Sequence, residues 1–271
     1  MTRGTLKGVL LACHPGPTAI VTLVSYLFAS TLRSEWSAVG IALSVFLGQL
    51  VIGWSNDLID FSSDQTRNRS EKPLVAGLIG EELLRRITAI TTVLTIVVNL
   101  LGPLGLKGGA VHLIGVASGV SYNIYFKRTL FSWLPYAIAF AALPGSIVIA
   151  AGQAPPLWLL TCGSLLGLAA HFANVIDDID GDRTEGIRGL PQVLGERASR
   201  ITTVIALLTT GYILTTQTQT FWVLLISSLG AILILFGPRK IIFPGLMVLA
   251  VLDVLMLVIA VQDQLGSRGY S

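Results

Sequence analysis

Nine predominantly apolar stretches, each about as long as a membrane-spanning helix, divide the chain and constrain its fold more than any other feature. About 20 apolar residues cross the hydrocarbon core of a bilayer as a helix. Only 12% of the residues are charged, against about 25% in an average soluble domain, which argues against an ordinary soluble protein and against a nucleic-acid partner. We predict an all-α polytopic membrane protein, one domain over residues 1–271 that forms a single bundle of about nine transmembrane helices. The predicted spans are 15–32, 39–59, 83–101, 111–126, 134–151, 157–176, 201–216, 221–236 and 243–261.

The basic residues are unevenly distributed between the two sides of this predicted bundle. When the nine spans alternate across a bilayer, only Arg33, Lys107 and Arg268 of the 18 lysines and arginines fall on one side. Since positively charged loops stay in the cytoplasm, we predict that the N-terminus and the other basic loops are cytoplasmic and that the C-terminus is on the opposite side. Arg3 and Lys7 precede the first apolar stretch, as in a signal peptide. No small-residue cleavage site follows them, so we expect this stretch to be retained as the first span.

Two acidic segments repeat one pattern at the ends of the second and sixth predicted spans. Both read Asn-x3-Asp-x3-Asp, and their members are Asn56, Asp60 and Asp64 in the first segment and Asn174, Asp178 and Asp182 in the second. On a helix, steps of four residues place successive side chains along one face. Each segment is therefore expected to present a stripe of one amide and two carboxylates. Because four spans separate the segments, both stripes are expected on the same side of the membrane.

Such stripes need positive partners, because an aspartate within a membrane costs roughly 2.5–3.5 kcal/mol on insertion scales. Oxygen ligands suit hard cations, and magnesium is usually held by one or two carboxylates together with substrate phosphates. Basic side chains near both stripes suit a phosphate anion: Arg67, Arg69, Lys72, Arg183, Lys127 and Arg128. The pattern predicts a metal–diphosphate site. A solvated acidic loop is the alternative, which the repetition of the motif disfavours.

These motifs resemble those of the UbiA family of membrane prenyltransferases. The first acidic segment, which also contains Asp57, is similar to the family's first aspartate-rich motif, and Asp178-x3-Asp182 is similar to the second. Three other stretches share the resemblance: Lys72-Pro73-Leu74, Tyr122-Asn123-x-x-Phe126-Lys127 and Gly186-Ile187-Arg188-Gly189-Leu190-Pro191. The resemblance covers nearly the whole chain, including the number of spans and the order of the motifs.

The resemblance implies a central cavity across which the two motifs bind the diphosphate of an isoprenyl donor through Mg²⁺. The implied metal ligands are Asn56, Asp60, Asp64, Asn174, Asp178 and Asp182, and the four aspartates among them are the implied catalytic residues. The implied substrate-binding residues are Asn56, Asn174, Lys127, Arg67, Lys72 and Tyr122. Metal and cationic side chains would stabilise charge on the departing diphosphate. Asp57 and Asp177 are expected to make supporting contacts only.

The implied activity is Mg²⁺-dependent transfer of an isoprenyl group to an aromatic or quinone-precursor acceptor inside the membrane. The same fold could instead serve a polar lipid or sugar-phosphate acceptor, or cyclise its own donor as a terpene cyclase. A cation or organic-anion transporter fits less well, because transporters usually carry their acidic residues near mid-membrane. The sequence leaves open the acceptor, the donor chain length, and the roles of His14, His171 and Asp253.

Overall fold

The computed structural model describes residues 3–268, and 82% of the chain is helical with no strand in that range. Helices alternate with short connections throughout, as the apolar periodicity predicts. The twelve α-helices of the described residues are α1 (Arg3–Ala12), α2 (Pro15–Leu32), α3 (Glu35–Thr66), α4 (Glu81–Leu101), α5 (Gly105–Ile124), α6 (Leu134–Ala150), α7 (Leu157–Val175), α8 (Ile179–Thr184), α9 (Leu190–Leu194), α10 (Glu196–Thr218), α11 (Phe221–Phe236) and α12 (Arg239–Arg268). A short 3₁₀-helix, Phe126–Arg128, follows α5.

Each predicted span overlaps one helix, so the fold class is confirmed. The nine helices concerned are α2 to α7 and α10 to α12. Among the described residues, α2, α3, α4, α7 and α10 are long and apolar enough to cross a membrane by length and composition alone, while α6 and α11 are apolar but shorter. The short helices α1, α8 and α9 are additions that the sequence did not predict. The C-terminus, which we predict on the side opposite the N-terminus, falls in residues 269–271 and lies outside the described residues.

Apolar side chains cover the outside of the bundle as well as its interior. Ile90, Leu101 and Phe236 are strongly exposed on outer helix faces, as expected of surfaces that contact lipid. The largest buried cluster joins α7, α10, α11 and α12, and includes Leu207, Ile234 and other fully buried aliphatic side chains. The chain therefore has the surface of a membrane protein around a packed core.

Glycines on α7 allow the backbone of α6 to approach closely. A Cβ at Gly163 would lie 2.5 Å from the carbonyl oxygen of Phe140, and one at Gly167 would lie 2.8 Å from the carbonyl carbon of Tyr136. Small residues at a spacing of four are a common means of close helix contact in membranes. This contact positions Tyr136 of α6 opposite the C-terminal end of α7, where the second acidic motif begins.

The two acidic motifs lie on different kinds of backbone. The first is carried by the single 32-residue helix α3. The second is interrupted, because α7 ends at Val175 and α8 begins only at Ile179, with Asp178 as the residue before it. The expectation of one helical stripe is therefore correct for the first motif and wrong for the second. Asp177 and Asp178 have low helix propensity, which is consistent with a break at this point.

Candidate active site

The first acidic motif forms hydrogen bonds along α3 and to α5. The Asn56 amide donates to Asp60 Oδ2 at 3.0 Å and to Asn123 Oδ1 at 3.2 Å. Asp60 is also paired with the ammonium group of Lys127, which the 3₁₀-helix after α5 places beside α3. The structure thus places Lys127 beside the first motif, although Lys127 and Asp60 are 67 positions apart in the chain.

The segment after α3 supplies basic side chains that fold back over the acidic residues. Arg69 lies between the two motifs: its Nη1 is 3.5 Å from Asp64 Oδ1 and its Nη2 is 3.3 Å from Asp178 Oδ1. Arg67 pairs with Glu185 and has Nη2 3.6 Å from Asp182 Oδ1. These contacts place the two motifs on opposite sides of a shared group of guanidinium ions.

The segment that follows the second motif makes hydrogen bonds to it. The side-chain amide of Gln192 donates to Asp182 Oδ2 at 2.8 Å, and Arg183 Nε donates to the main-chain carbonyl of Gln192 at 2.6 Å. Burial raises the pKa of Asp182 above the ordinary aspartate value, and the hydrogen bond from Gln192 opposes that rise. Sequence reasoning missed Gln192 and Glu185, because neither belongs to the repeated pattern.

A cavity of about 490 Å³ opens beside the motifs and runs into the bundle. Asn56 and Asn174 lie in its wall at the end near the acidic residues, and Asn174 is hydrogen-bonded to Tyr136. The rest of the wall is mostly apolar and comes from α2, α3, α5, α6, α7 and α12. A polar end and an apolar interior suit a ligand with an anionic head and a hydrocarbon tail.

Aromatic rings gather on one side of this cavity. Tyr122 contacts Tyr136 edge to face, with ring centroids 5.0 Å apart, and approaches His171 at 5.5 Å. Tyr122 and Tyr136 line the cavity, whereas His171 is fully buried and pairs through Nε2 with Ser132 Oγ at 2.9 Å. His171 thus has the helix-packing environment of a buried histidine, and the two tyrosines form part of the cavity wall.

Two residues singled out from the sequence lie away from the motif carboxylates. Lys72 donates to Asp57 Oδ1 at 2.8 Å instead of contacting either repeated motif. Asp253 lies in a separate, smaller cavity of about 120 Å³ between α2, α6, α7 and α12, and both of its oxygens are buried without a hydrogen-bond partner in the described residues. Asp57 itself is buried, and its carboxylate contacts His14 and Lys72.

The donor chemistry fits a hard cation even though the carboxylates are now paired with basic side chains. No three His, Cys, Asp or Glu side chains within residues 3–268 converge closely enough to hold a metal. However, one guanidinium, that of Arg69, spans a carboxylate of each motif. A positive group is therefore already accommodated between oxygen ligands of the kind that magnesium prefers.

Comparison with known proteins identifies the group to which this architecture belongs. The model of the UbiA prenyltransferase family matches residues 18–260. The chain belongs to the UbiA prenyltransferase family. The sequence resemblance and the predicted fold are confirmed by this match, which includes both acidic motifs.

Individual UbiA relatives differ in the reactions that their names describe. The Bacteriochlorophyll synthase 33 kDa chain of Cereibacter sphaeroides is 32% identical over 176 residues, which are 59% of this chain and 56% of that protein. This chain thus spans little more than half the length of that relative. The Digeranylgeranylglyceryl phosphate synthase of Natronomonas pharaonis is 24% identical over 200 residues, 72% of this chain and 71% of that one.

Solved structures of UbiA proteins share the helical arrangement. A UbiA homolog from Archaeoglobus fulgidus bound to GPP and Mg²⁺ superposes with a TM-score of 0.72 and 16% sequence identity, covering 94% of this chain and 99% of that one. At this identity the match establishes the fold alone.

Proposed function

We propose that this chain is a Mg²⁺-dependent intramembrane prenyltransferase that transfers an isoprenyl group from an isoprenyl diphosphate to an acceptor in the same cavity. The observation that carries the proposal is the position of Arg69, whose guanidinium reaches Asp64 and Asp178 beside the mouth of the apolar cavity. An anionic head group held there would have its tail in the bundle interior. The GPP and Mg²⁺ bound to the Archaeoglobus fulgidus homolog support this class of donor and metal.

The residues that would hold the metal are the amide and carboxylate groups of the two motifs. They are Asn56, Asp60, Asp64, Asn174, Asp178 and Asp182. When bound, Mg²⁺ supplies charge neutralisation to the diphosphate leaving group. The oxygen-only donor set and the cation already present between the motifs support the assignment.

The basic side chains have a second task in this proposal. Lys127, Arg67 and Arg69 now neutralise motif carboxylates or Glu185. With the carboxylates engaged by a metal, these side chains would be available to diphosphate oxygens, for which guanidinium groups are well shaped. Lys72 is also proposed to bind the diphosphate, for which it would have to leave Asp57, its partner in the structure.

The cavity interior suits the reacting end of the donor. An allylic carbon that loses diphosphate becomes cationic, and aromatic ring faces attract cations within about 6 Å. Tyr122 and Tyr136 line the cavity near Asn174, so we assign them to stabilisation of that carbon. Apolar walls from α5 and α6 keep water from the same region.

The acceptor is proposed at the level of chemical class. An aromatic or quinone-precursor compound is our prediction from the family resemblance. A polar lipid is favoured by one specific observation, the similarity to a digeranylgeranylglyceryl phosphate synthase over 72% of this chain. Incubation of the purified protein with geranyl, farnesyl and geranylgeranyl diphosphates and a panel of aromatic acids, naphthoates and glycerophosphates, followed by mass spectrometry, separates the two classes.

We also propose that the motifs face the cytoplasm, because the loops around them hold most of the basic residues. Cysteine labelling of intact cells tests this orientation. A cysteine placed at Thr184 should be protected from an impermeant reagent, and one placed at Gln153, in the loop between α6 and α7, should react. The reverse pattern would contradict the orientation.

The central experiment removes one carboxylate from each motif. We expect Asp60→Ala and Asp178→Ala to lower Mg²⁺-dependent release of diphosphate from an isoprenyl diphosphate by at least about 100-fold, the usual effect of losing one group that stabilises developing charge. Glu82→Ala is the matched control, since Glu82 is an exposed carboxylate that pairs with Arg86 on the surface of α4. Full turnover in either motif variant would rule out the metal assignment.

A further inference from the structure

His14 occupies an unusual position between α1 and α2. Its backbone is left-handed, with φ 53° and ψ 69°, a conformation in which histidine is enriched among the non-glycine residues. The side chain lines the 490 Å³ cavity.

The environments of the three histidines differ in their access to a ligand. The His14 side chain is 42% exposed, whereas His112 is 4% exposed and His171 is fully buried. His112 is also engaged through Nδ1 with Asn99 Oδ1 at 2.6 Å. All three histidines of the chain lie in the described range, so His14 is the imidazole in it that a cavity ligand can reach most freely.

A buried carboxylate engages one nitrogen of the His14 ring. His14 Nε2 lies 3.2 Å from Asp57 Oδ1, and Lys72 Nζ donates to the same oxygen at 2.8 Å. Asp57 is only 3% exposed, so this contact fixes the orientation of the ring from inside the bundle. Nδ1 is the second nitrogen of the ring, and it is the one on which we place the proton of a ligand.

We propose that His14 is a catalytic proton acceptor for a hydroxyl nucleophile and that Asp57 is its positioning residue. The inference rests on the proposed transferase function and narrows its acceptor to compounds with an alcohol or phenol group. Lys127 and Lys72 are poor candidates for this task, because an ammonium group donates hydrogen bonds and has no lone pair to accept a proton.

The proposed step conserves atoms and charge. The bond between donor C1 and its diphosphate oxygen breaks, and its electron pair leaves with the diphosphate. The acceptor hydroxyl oxygen forms a new bond to C1, and its proton moves to His14 Nδ1. Asp57 balances the resulting imidazolium. A carboxylate acceptor has no such proton at neutral pH and would gain nothing from this arrangement.

The first test reads the tautomer and needs no acceptor. Protein labelled with ¹⁵N-histidine in lipid nanodiscs at pH 8 has only three imidazoles, and the His14 signal is assigned by its loss in His14→Asn. We expect the wild-type His14 to be protonated at Nε2, and Asp57→Asn to abolish this preference. Protonation at Nδ1 in the wild type would overturn the proposal.

The second test separates ionisation from capture. His14→Asn keeps a side chain that tolerates the left-handed backbone and can donate to Asp57, but it cannot take a proton. With geranylgeranyl diphosphate and a glycerophosphate that has a free hydroxyl, transfer should fall by at least about 100-fold. The ratio of transfer to acceptor-independent release of diphosphate should fall with it, since general-base assistance concerns only the nucleophile.

The controls distinguish the possible failures. Added imidazole should partly restore transfer in His14→Gly, which a purely structural role would not allow. Equal loss of transfer and of acceptor-independent release, or unchanged transfer in His14→Asn, would overturn the role of His14. Absence of diphosphate release in the wild type with every donor would instead contradict the proposed function, while the tautomer measurement would still decide the state of His14.

Discussion

Close contact between α6 and α7 should be essential to the stability of the bundle, and Gly163→Ala tests it. The added Cβ would lie 2.5 Å from the Phe140 carbonyl oxygen and 3.0 Å from Ala141 Cα. Carbon–oxygen contacts are usually about 3.3 Å or longer, so the atoms must separate by roughly 0.8 Å. Both obstructing atoms belong to the α6 backbone, and no side-chain rotation can relieve the overlap.

The expected loss follows from that geometry. Overpacking of a close contact typically destabilises by about 1–3 kcal/mol, which corresponds to roughly 2–12 °C in melting temperature for a chain of this size. Thermal unfolding of purified protein in one fixed detergent measures the difference. Donor-dependent release of diphosphate should fall as well, because α6 carries Tyr136 and Phe140 in the cavity wall.

Gly16→Ala is the matched control for this substitution. Gly16 is also a helical glycine, but a Cβ there meets no atom within 4 Å. It should be neutral or slightly stabilising, because alanine is the better helix former by up to about 1 kcal/mol. If Gly163→Ala melts at the same temperature as Gly16→Ala, the close approach of the two backbones is not required.

Three further substitutions have definite expected outcomes. Lys127→Gln removes the partner of Asp60. It should raise the KM for an isoprenyl diphosphate by at least about tenfold, since a charge-assisted contact contributes about 1.5–3 kcal/mol. Lys107→Gln, at the other end of α5, should leave the KM unchanged, and equal KM values for the two variants would refute the assignment. Gln192→Met removes the hydrogen bond from Gln192 to Asp182. It should raise the Mg²⁺ concentration for half-maximal activity by about tenfold, as is usual for residues that support metal ligands. An unchanged Mg²⁺ titration would show that this hydrogen bond is dispensable. Arg200→Met should lower the melting temperature by several degrees. Arg200 donates to the Ile234 and Gly237 carbonyls at the end of α11, and a buried acceptor left unpaired costs about 1–3 kcal/mol. Arg86→Met removes an exposed pair on α4 and should barely change the melting temperature.

The spans were predictable because the bilayer imposes a length and a polarity on every helix that crosses it. The predicted 15–32 and 221–236 coincide with α2 and α11. By contrast, the predicted 39–59 is much shorter than α3, which continues through the first motif to Thr66. Hydropathy reports burial in lipid, and it cannot show that a helix extends beyond the membrane on polar residues.

The candidate site was predictable only where a repeated pattern marked it. The repetition of Asn-x3-Asp-x3-Asp indicates that the two segments belong to one site, and in the structure Arg69 contacts a carboxylate of each. The contacts of Gln192, Glu185 and His14 depend on loops whose paths are set by tertiary packing. The partner of Lys72 was also beyond the sequence, because a flexible side chain among several nearby carboxylates can pair with any of them.

The interruption between α7 and α8 makes the two halves of the site unequal in stiffness. The first motif lies on one uninterrupted helix, and its ligands keep fixed spacing. The second motif continues across residues 176–178, and α8 makes polar contacts, such as Asp182 with Gln192 and Asp180 with Arg239, beside the buried Ile179. A change in the separation of the motifs is therefore expected to involve rotation of α8 about that joint. Entry of the donor and departure of diphosphate are accordingly expected to depend on the loop that follows α7, and a rigid joint there would slow turnover without altering a single ligand.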